Sequence, residues 1–300
     1  MTASSGVLAP ALTATRADLP AAVMAALDDP AAPDLGVVEA AGIPFAIRSW
    51  GHPAAPPVLL IHGVTASSRI WWRIGPALAV GLERRIVAVD QAGHGLTGNW
   101  TGHHRFGDNA ADIATFASAA GLARADLRIV GHSWGGMTAA VLPAAGLVPD
   151  ILVLFDPPAI PAAAIATMLD DPVERRYDDL DVAIAAIGRL HPTWPFGDVT
   201  AKAEALTQFD EPAVRAILTR NGDWDGGLAG LADPAAAGLP IWLVRGDPAF
   251  GGLIPDKAAE KMVERIGADR VITLAGGAHA PMRMLPEATT LALLRALAPA

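Results

Sequence analysis

The chain has 300 residues, of which 52% are hydrophobic and 18% charged, and it carries a formal net charge of −9 and no cysteine. This apolar content excludes a disordered chain, and the negative charge disfavours nucleic acid or an anionic membrane as a partner. Without cysteine there is no disulfide, thiolate zinc site or cysteine nucleophile, and no apolar run is long enough to predict a membrane span.

Residues 1–34 form an N-terminal extension rich in Ala, Thr, Pro and Asp. The extension lacks a basic stretch followed by a clean apolar one, which disfavours a secretory signal and makes the cytoplasm the expected compartment. The stretch ADLPAAVMAALDD predicts one short helix. We expect the rest to be loose, and we expect removal of about the first 30 residues to cost little stability.

Strands and helices alternate from residue 36 onward. Two short strands are predicted at 36–40 and 44–50, and wholly apolar runs then predict strands buried on both faces. These runs are PPVLLIHG, RIVAVD, LRIVG, ILVLFD, IWLVRGD and VITLAGG. Helical patterns lie at 75–82, 109–123, 136–145, 257–266 and 286–298. The alternation predicts an α/β fold with a mostly parallel, doubly wound sheet.

The interval between Asp156 and Pro240 breaks this alternation, because it contains helical patterns and no buried-strand run. A connection of this length needs structure of its own. We predict a helical lid, or cap, at residues 157–237, inserted into a core made of residues 35–156 and 238–300. The lid is expected to cover the active site and to select the size of the substrate, and its aromatic side chains are expected to serve packing. They are Trp194, Phe196, Phe209 and Trp224.

The stretch LRIVGHSWGGM places Ser133 between a buried strand and a helix, with Gly131 and Gly135 two residues to either side. Glycines at these positions keep a sharp turn free of side-chain clashes. The strand, turn and helix together form the context of a nucleophile elbow, which exposes the serine hydroxyl at the start of the helix. Ser133 is therefore the predicted nucleophile.

A serine hydroxyl needs a base that removes its proton, and the base needs an orienting carboxylate. The Gly-rich stretch LAGGAHAPMRM supplies His279 after the last strand, and LVRGDPAF supplies Asp247 after the penultimate strand. All three residues follow the carboxyl ends of strands, where open parallel sheets bind ligands. The order Ser, Asp, His is also the order used with this type of elbow.

An oxyanion hole needs two N–H groups. The residue after the nucleophile, Trp134, supplies one, and Val64, in the turn at Gly63 after the strand PPVLLIH, is predicted to supply the other.

Three further histidines, each beside a glycine at a strand end, are predicted to be structural hydrogen-bonding groups and not a zinc site, because they lack the spacing of metal motifs. They are His62, His94 and His132. Asp90 is expected to cap the loop after its strand.

With these motifs the sequence resembles the α/β-hydrolase superfamily in its capped form. The resemblance rests on HGVTASSRIWW, VDQAGHG, GHSWGG, the GDP segment and GGAHAPM, in that order, and covers residues 36 to 300. It implies hydrolase activity but does not specify the substrate. The chain departs from the superfamily at the acid, often found as Gly-x-x-Asp before a proline, because Asp247 follows Gly246 directly. Some members place the acid one strand earlier, which makes Asp156 the alternative to Asp247.

We therefore expect a serine hydrolase that cleaves an ester or a related small acyl compound through an acyl-enzyme, without a metal or organic cofactor. Two alternatives stay open. One is hydrolysis of a lactone or a carbon–carbon bond with the same triad, and the other is a receptor-like binding protein on the same fold. The sequence does not determine the oligomeric state.

Overall fold

The computed structural model describes residues 8–98, 102 and 104–298, and its centre is one eight-stranded sheet in the order β1-β2-β4-β3-β5-β6-β9-β10. Neighbouring strands are parallel except where β2 pairs with β1 and β4. Two two-residue strands, β7 and β8, form a separate antiparallel pair. Numbered along the chain, the strands are β1 (Asp34–Ala40), β2 (Ile43–Trp50), β3 (Pro57–Ile61), β4 (Arg85–Val89), β5 (Arg128–His132), β6 (Ile151–Phe155), β7 (Ala159–Ile160), β8 (Trp224–Asp225), β9 (Ile241–Arg245) and β10 (Val271–Thr273).

The sheet is buried on both faces. Leu59 and Ile61 of β3 belong to the apolar cluster on one face, and Val58 and Leu60 belong to the cluster on the other. Side chains alternate between the faces of a strand, so burial on both sides explains why these runs are wholly apolar. The predicted mostly parallel α/β sheet is thus confirmed. The helices are α1 (Ala21–Asp28), α2 (Ile74–Leu82), α3 (Phe106–Ala119), α4 (Trp134–Ala140), α5 (Ala162–Ala166), α6 (Leu180–Leu190), α7 (Phe196–Gln208), α8 (Glu211–Arg220), α9 (Leu228–Leu231), α10 (Asp256–Ile266) and α11 (Pro286–Ala296).

Helix α4 ends at Ala140, five residues before the end that its sequence pattern predicted. Pro143 lies three residues further on and has no N–H with which to continue a helix. Within residues 8–98 and 104–298, no helix is long and apolar enough to cross a membrane.

From Leu12 onward, parts of the N-terminal extension pack onto the core, so the expectation that it is loose is wrong. The expectation that its removal costs little stability stays a prediction, and the buried contacts argue against it. Val23 and Leu27 of α1 are each 1% exposed and join the apolar cluster that contains α2 and α11. Leu12 pairs with Leu274 beside β10, donating to the Thr273 carbonyl at 2.7 Å. Val23 and Leu27 are four residues apart, which places them on one face of the short helix, and Leu19, just before the helix, is buried in the same cluster.

The segment between β6 and β9 contains α5 to α9 and builds an apolar cluster of its own. Val64, Trp134 and Met137 from the core belong to the same cluster, so the segment lies directly on the residues around Ser133. Phe209 and Trp224 are buried in it, as expected, whereas Phe196 is 72% exposed, so the packing expected of Phe196 is wrong. Helix α9, the last helix of the inserted segment, does not join this cluster and packs on α4 of the core.

Candidate active site

Ser133 lies in the turn between β5 and α4 with φ 56° and ψ −125°, a left-handed conformation that is strained for a residue with a side chain. Small neighbours make the turn possible. A Cβ at Gly131 would meet the Gly135 carbonyl oxygen at 2.3 Å, and a Cβ at Gly135 would meet the His62 carbonyl oxygen at 2.4 Å. The two glycines of the motif are thus required by the close approach of backbone to backbone.

His279 connects the serine to a carboxylate. Its Nε2 lies 2.8 Å from the Ser133 Oγ, and its Nδ1 lies 2.7 Å from Oδ2 of Asp156. The Asp156 carboxylate is fully buried and also accepts the N–H groups of Gly246 and Leu253, each at 3.0 Å. These two bonds fix the carboxylate and leave it aimed at the imidazole.

Asp247, which the sequence favoured as the partner of His279, does not contact it. Its carboxylate accepts the N–H groups of Ala249 at 3.0 Å and Gly276 at 3.2 Å, and it therefore braces the loop that leads to His279. The correction has a topological cause. Because β6 lies directly beside β5, Asp156 at its end is next to Ser133, whereas Asp247 follows β9, one strand further away.

The two predicted oxyanion donors, Trp134 and Val64, come from two different turns of the chain. Trp134 is the first residue of α4, and the first N–H groups of a helix have no acceptor within it. Gly63 approaches so closely that a Cβ there would meet the Ser133 Cβ at 2.7 Å. The next N–H along the chain, that of Val64, makes no hydrogen bond within the part of the chain that the structure describes. The Trp134 N–H directly follows Ser133 in the chain, and the Val64 N–H has no other acceptor among the described residues, so their role in an oxyanion hole stays a prediction.

The three other histidines are buried. His62 accepts the Gln91 N–H at Nε2 and donates from Nδ1 to the Gly63 carbonyl, which holds the turn before Val64. Burial lowers the pKa of His62 to about 4 and, together with the charge of His62, lowers that of His94 to about 3.

His132 has a pKa well below its usual value, chiefly because of burial. Being neutral, it donates from Nε2 to the His279 carbonyl at 2.9 Å, so it holds the backbone of the base. Asp90 accepts the N–H groups of Ser68 and Leu96. No group of three metal-ligating side chains occurs among the described residues.

A cavity of about 350 Å³ lies between the core and the inserted segment. Val64 and Thr65 line it on the core side, and the inserted segment supplies the other walls. The apolar ones are Met168, Leu169, Phe209, Pro212, Val214 and Leu218, and the charged ones are Glu174, Arg175, Arg176, Glu211 and Arg215. Ser133 and His279 are not among the residues that line this cavity.

A cluster of charged side chains near this cavity was not foreseen from the sequence. Lys202 of α7 is buried and donates to the Thr65 carbonyl and hydroxyl, each at 3.0 Å, and to Glu174 at 2.5 Å. Burial lowers the pKa of Lys202, opposed by the carboxylate of Glu174. A lysine within a helical pattern normally indicates a solvated face, so nothing in the local sequence distinguishes this one.

Comparison with known proteins agrees with this architecture. Residues 58–289 match the model of the alpha/beta hydrolase family. The chain is 26% identical over 272 residues to 2-(acetamidomethylene)succinate hydrolase of Mesorhizobium japonicum. The alignment covers 85% of this chain and 92% of that protein. It is 32% identical over 151 residues to lipase LipV of Mycobacterium tuberculosis, covering 49% of this chain and 55% of the lipase.

Among solved structures, that of E-2-(acetamidomethylene)succinate hydrolase superposes with a TM-score of 0.72 at 23% identity. The superposition covers 88% of this chain and 99% of that one. At this level of identity, the likeness concerns the fold.

Proposed function

The chain belongs to the alpha/beta hydrolase family, and on that premise we propose that it is a serine hydrolase acting on an ester or a related acyl compound. The observation that carries the proposal is the continuous line of hydrogen bonds from Ser133 through His279 to Asp156, at 2.8 and 2.7 Å. Nucleophile and base are within proton-transfer distance, and a buried carboxylate orients the base.

In the proposed reaction, His279 Nε2 takes the Ser133 proton while Oγ attacks the substrate carbonyl. The carbonyl oxygen becomes negative and accepts the N–H groups of Val64 and Trp134. Collapse of this intermediate breaks the bond to the leaving group, which departs with the proton from His279. Water then gives a proton to His279 and attacks the acyl-enzyme. The bond between the acyl group and Ser133 Oγ breaks, His279 returns the proton to Oγ, and the acid is released. Asp156 stabilises the imidazolium in both halves of the reaction.

The inserted segment serves as the cap in this proposal. Support comes from its apolar cluster, which includes Val64 and Trp134, and from the cavity beside Val64. The size of this cavity suits a small acyl compound, whose apolar part would contact the apolar side of the lining. Action without a cofactor and placement in the cytoplasm stay predictions from the sequence.

The test is turnover of a panel of p-nitrophenyl esters of increasing chain length, with lactones and a vinylogous diketone for the alternative reactions. We expect ester hydrolysis, and we expect Ser133→Ala to lower kcat by about 10⁴-fold or more with KM little changed, because the pocket remains. Alanine keeps the Cβ of Ser133 and removes only the hydroxyl, so we expect folding to be unaffected. A folded Ser133→Ala protein that keeps more than about a tenth of the wild-type kcat would contradict the proposal.

A further inference from the structure

Arg283 lies four residues after His279, in the turn that connects the base to α11. Its N–H donates to the Ala280 carbonyl at 3.2 Å, and its neighbour Met282 is 2% exposed. The backbone of Arg283 is thus fixed relative to the base. Its side chain is partly buried and extends toward the inserted segment.

The guanidinium stacks on an aromatic pair. Its Cζ lies 4.2 Å from the centre of the Trp194 ring, and Trp194 stacks on His191 at 3.7 Å with the rings nearly parallel. A guanidinium held by its face keeps the N–H groups of its edge free to bind a planar anion in a bidentate manner. The stacking therefore holds the Arg283 guanidinium in place and leaves the N–H groups of its edge free to bind an anion.

None of the described residues pairs with that edge. Within residues 8–98 and 104–298, the Arg283 side chain makes no hydrogen bond and has no carboxylate at ion-pair distance. The more deeply buried arginines are all paired. Arg128 binds Asp150 and Arg245 binds Asp256, as expected for guanidinium groups withdrawn from water.

The neighbouring carboxylates have other partners. Glu174 is bound to Lys202 and Thr65, and Asp198 accepts the indole N–H of Trp72 at 3.1 Å. Both raise the pKa of Arg283 by their charge, although burial outweighs them and lowers it. The guanidinium thus lies between the turn after His279 and the inserted segment, whose Trp194 it contacts and whose Glu174 lines the cavity beside Val64.

We propose that the unpaired Arg283 guanidinium, stacked on Trp194 one turn after His279, binds a carboxylate of the substrate. The preferred substrate is then an ester or related acyl compound that carries a second, free carboxylate. The inference rests on the proposed serine hydrolase function, which it deepens by assigning a substrate class. A purely structural role would be a contact between the core and the cap, with no effect on substrate charge.

The test compares 4-nitrophenyl monoesters of succinic, glutaric and adipic acids with the corresponding methyl diesters, which lack the free charge. The measured quantity is the ratio of kcat/KM for each acid to that for its methyl ester. We expect the wild-type ratio to exceed one for at least one chain length, and Arg283→Met to lower that ratio about 10- to 100-fold, the effect of losing a charge-assisted hydrogen-bonded pair. Arg283→Lys should restore part of it.

Arg189→Met is the matched control, because Arg189 is an exposed arginine on α6 of the inserted segment. This substitution should leave the ratio unchanged. An Arg283→Met variant that loses activity on charged and neutral esters equally would overturn the inference and assign a structural role. Turnover of neutral esters with no preference for charge would also overturn it while leaving the proposed function intact. If no ester reacts, the proposed function fails, and calorimetric titration of glutarate into the wild-type and Arg283→Met proteins then decides the anion site separately.

Discussion

Asp156 and Asp247 both follow buried strands, but only Asp156 ends the strand next to the one that carries Ser133. Asp156 adopts φ 43°, a left-handed conformation that few residues with a side chain adopt. Two backbone N–H groups and His279 share its carboxylate. The residue is thus placed by the topology and secured by three hydrogen bonds.

The first residue-scale prediction compares two substitutions of one kind. Asp156→Asn should lower kcat by about 10⁴-fold, because an amide cannot hold the imidazole in the required tautomer or stabilise its charged form. Asp247→Asn should lower kcat less than about 10-fold, since it affects only the loop before His279. Steady-state kinetics on one activated ester measures both. A severe loss at 247 with near-normal turnover at 156 would return the acid to Asp247.

At the scale of single elements, α1 shows how a short pattern can be undervalued. The helix has eight residues, and an isolated helix of that length is unstable in water. It forms because Val23 and Leu27 are buried against α2 and α11. Only the tertiary contact decides whether such a segment docks, and the sequence does not show that contact.

We predict that Leu27→Ala lowers the free energy of unfolding by about 2–4 kcal/mol, the usual cost of truncating a buried leucine. Ala25→Ser on the exposed side of the same helix should cost less than about 1 kcal/mol. Urea denaturation followed by circular dichroism measures both changes. Equal and small effects would mean that α1 does not dock in solution.

Helix α3 contains a carboxyl group with a perturbed titration. Burial, reinforced by the charge of Asp108, raises the pKa of Asp112 to about 6, and its Oδ2 has no hydrogen-bond partner among the described residues. The folded protein therefore holds this proton more tightly than the unfolded chain, whose pKa is near 3.8. Stability should fall as the pH rises from about 4 to about 6, and the penalty should stay constant above that range.

Asp112→Asn should accordingly raise the free energy of unfolding by about 1–2 kcal/mol at pH 7, allowing for partial solvent screening, and change it little at pH 4. Denaturation of both proteins at the two pH values measures the difference. Asp29→Asn, at an exposed position, is the matched control and should change the free energy of unfolding by less than about 0.5 kcal/mol at either pH. If Asp112→Asn raised the free energy of unfolding equally at pH 4 and pH 7, the buried negative charge of Asp112 would not be the cause of the gain.

At the scale of the whole molecule, the sequence predicts the sheet, because burial on both faces leaves wholly apolar runs such as that of β3. It also predicts the turn at Ser133, because the glycines around it are required by backbone contacts of the turn itself. The order of strands in space is not written in any local pattern, and the choice between Asp156 and Asp247 depends on that order. The contacts of Lys202 and Arg283 depend on how the inserted segment lies on the core, which local sequence does not reveal either.

The central claim is that His279 and Asp156 activate Ser133 as a nucleophile, and covalent labelling with a fluorophosphonate tests it most directly. The measurement is the intact mass of the native protein after brief exposure to the probe, followed by peptide mapping. We predict one adduct per chain, located on Ser133, which is absent in Ser133→Ala and forms far more slowly in Asp156→Asn. A native protein that stays unlabelled, or that carries the adduct on another residue, would contradict the claim.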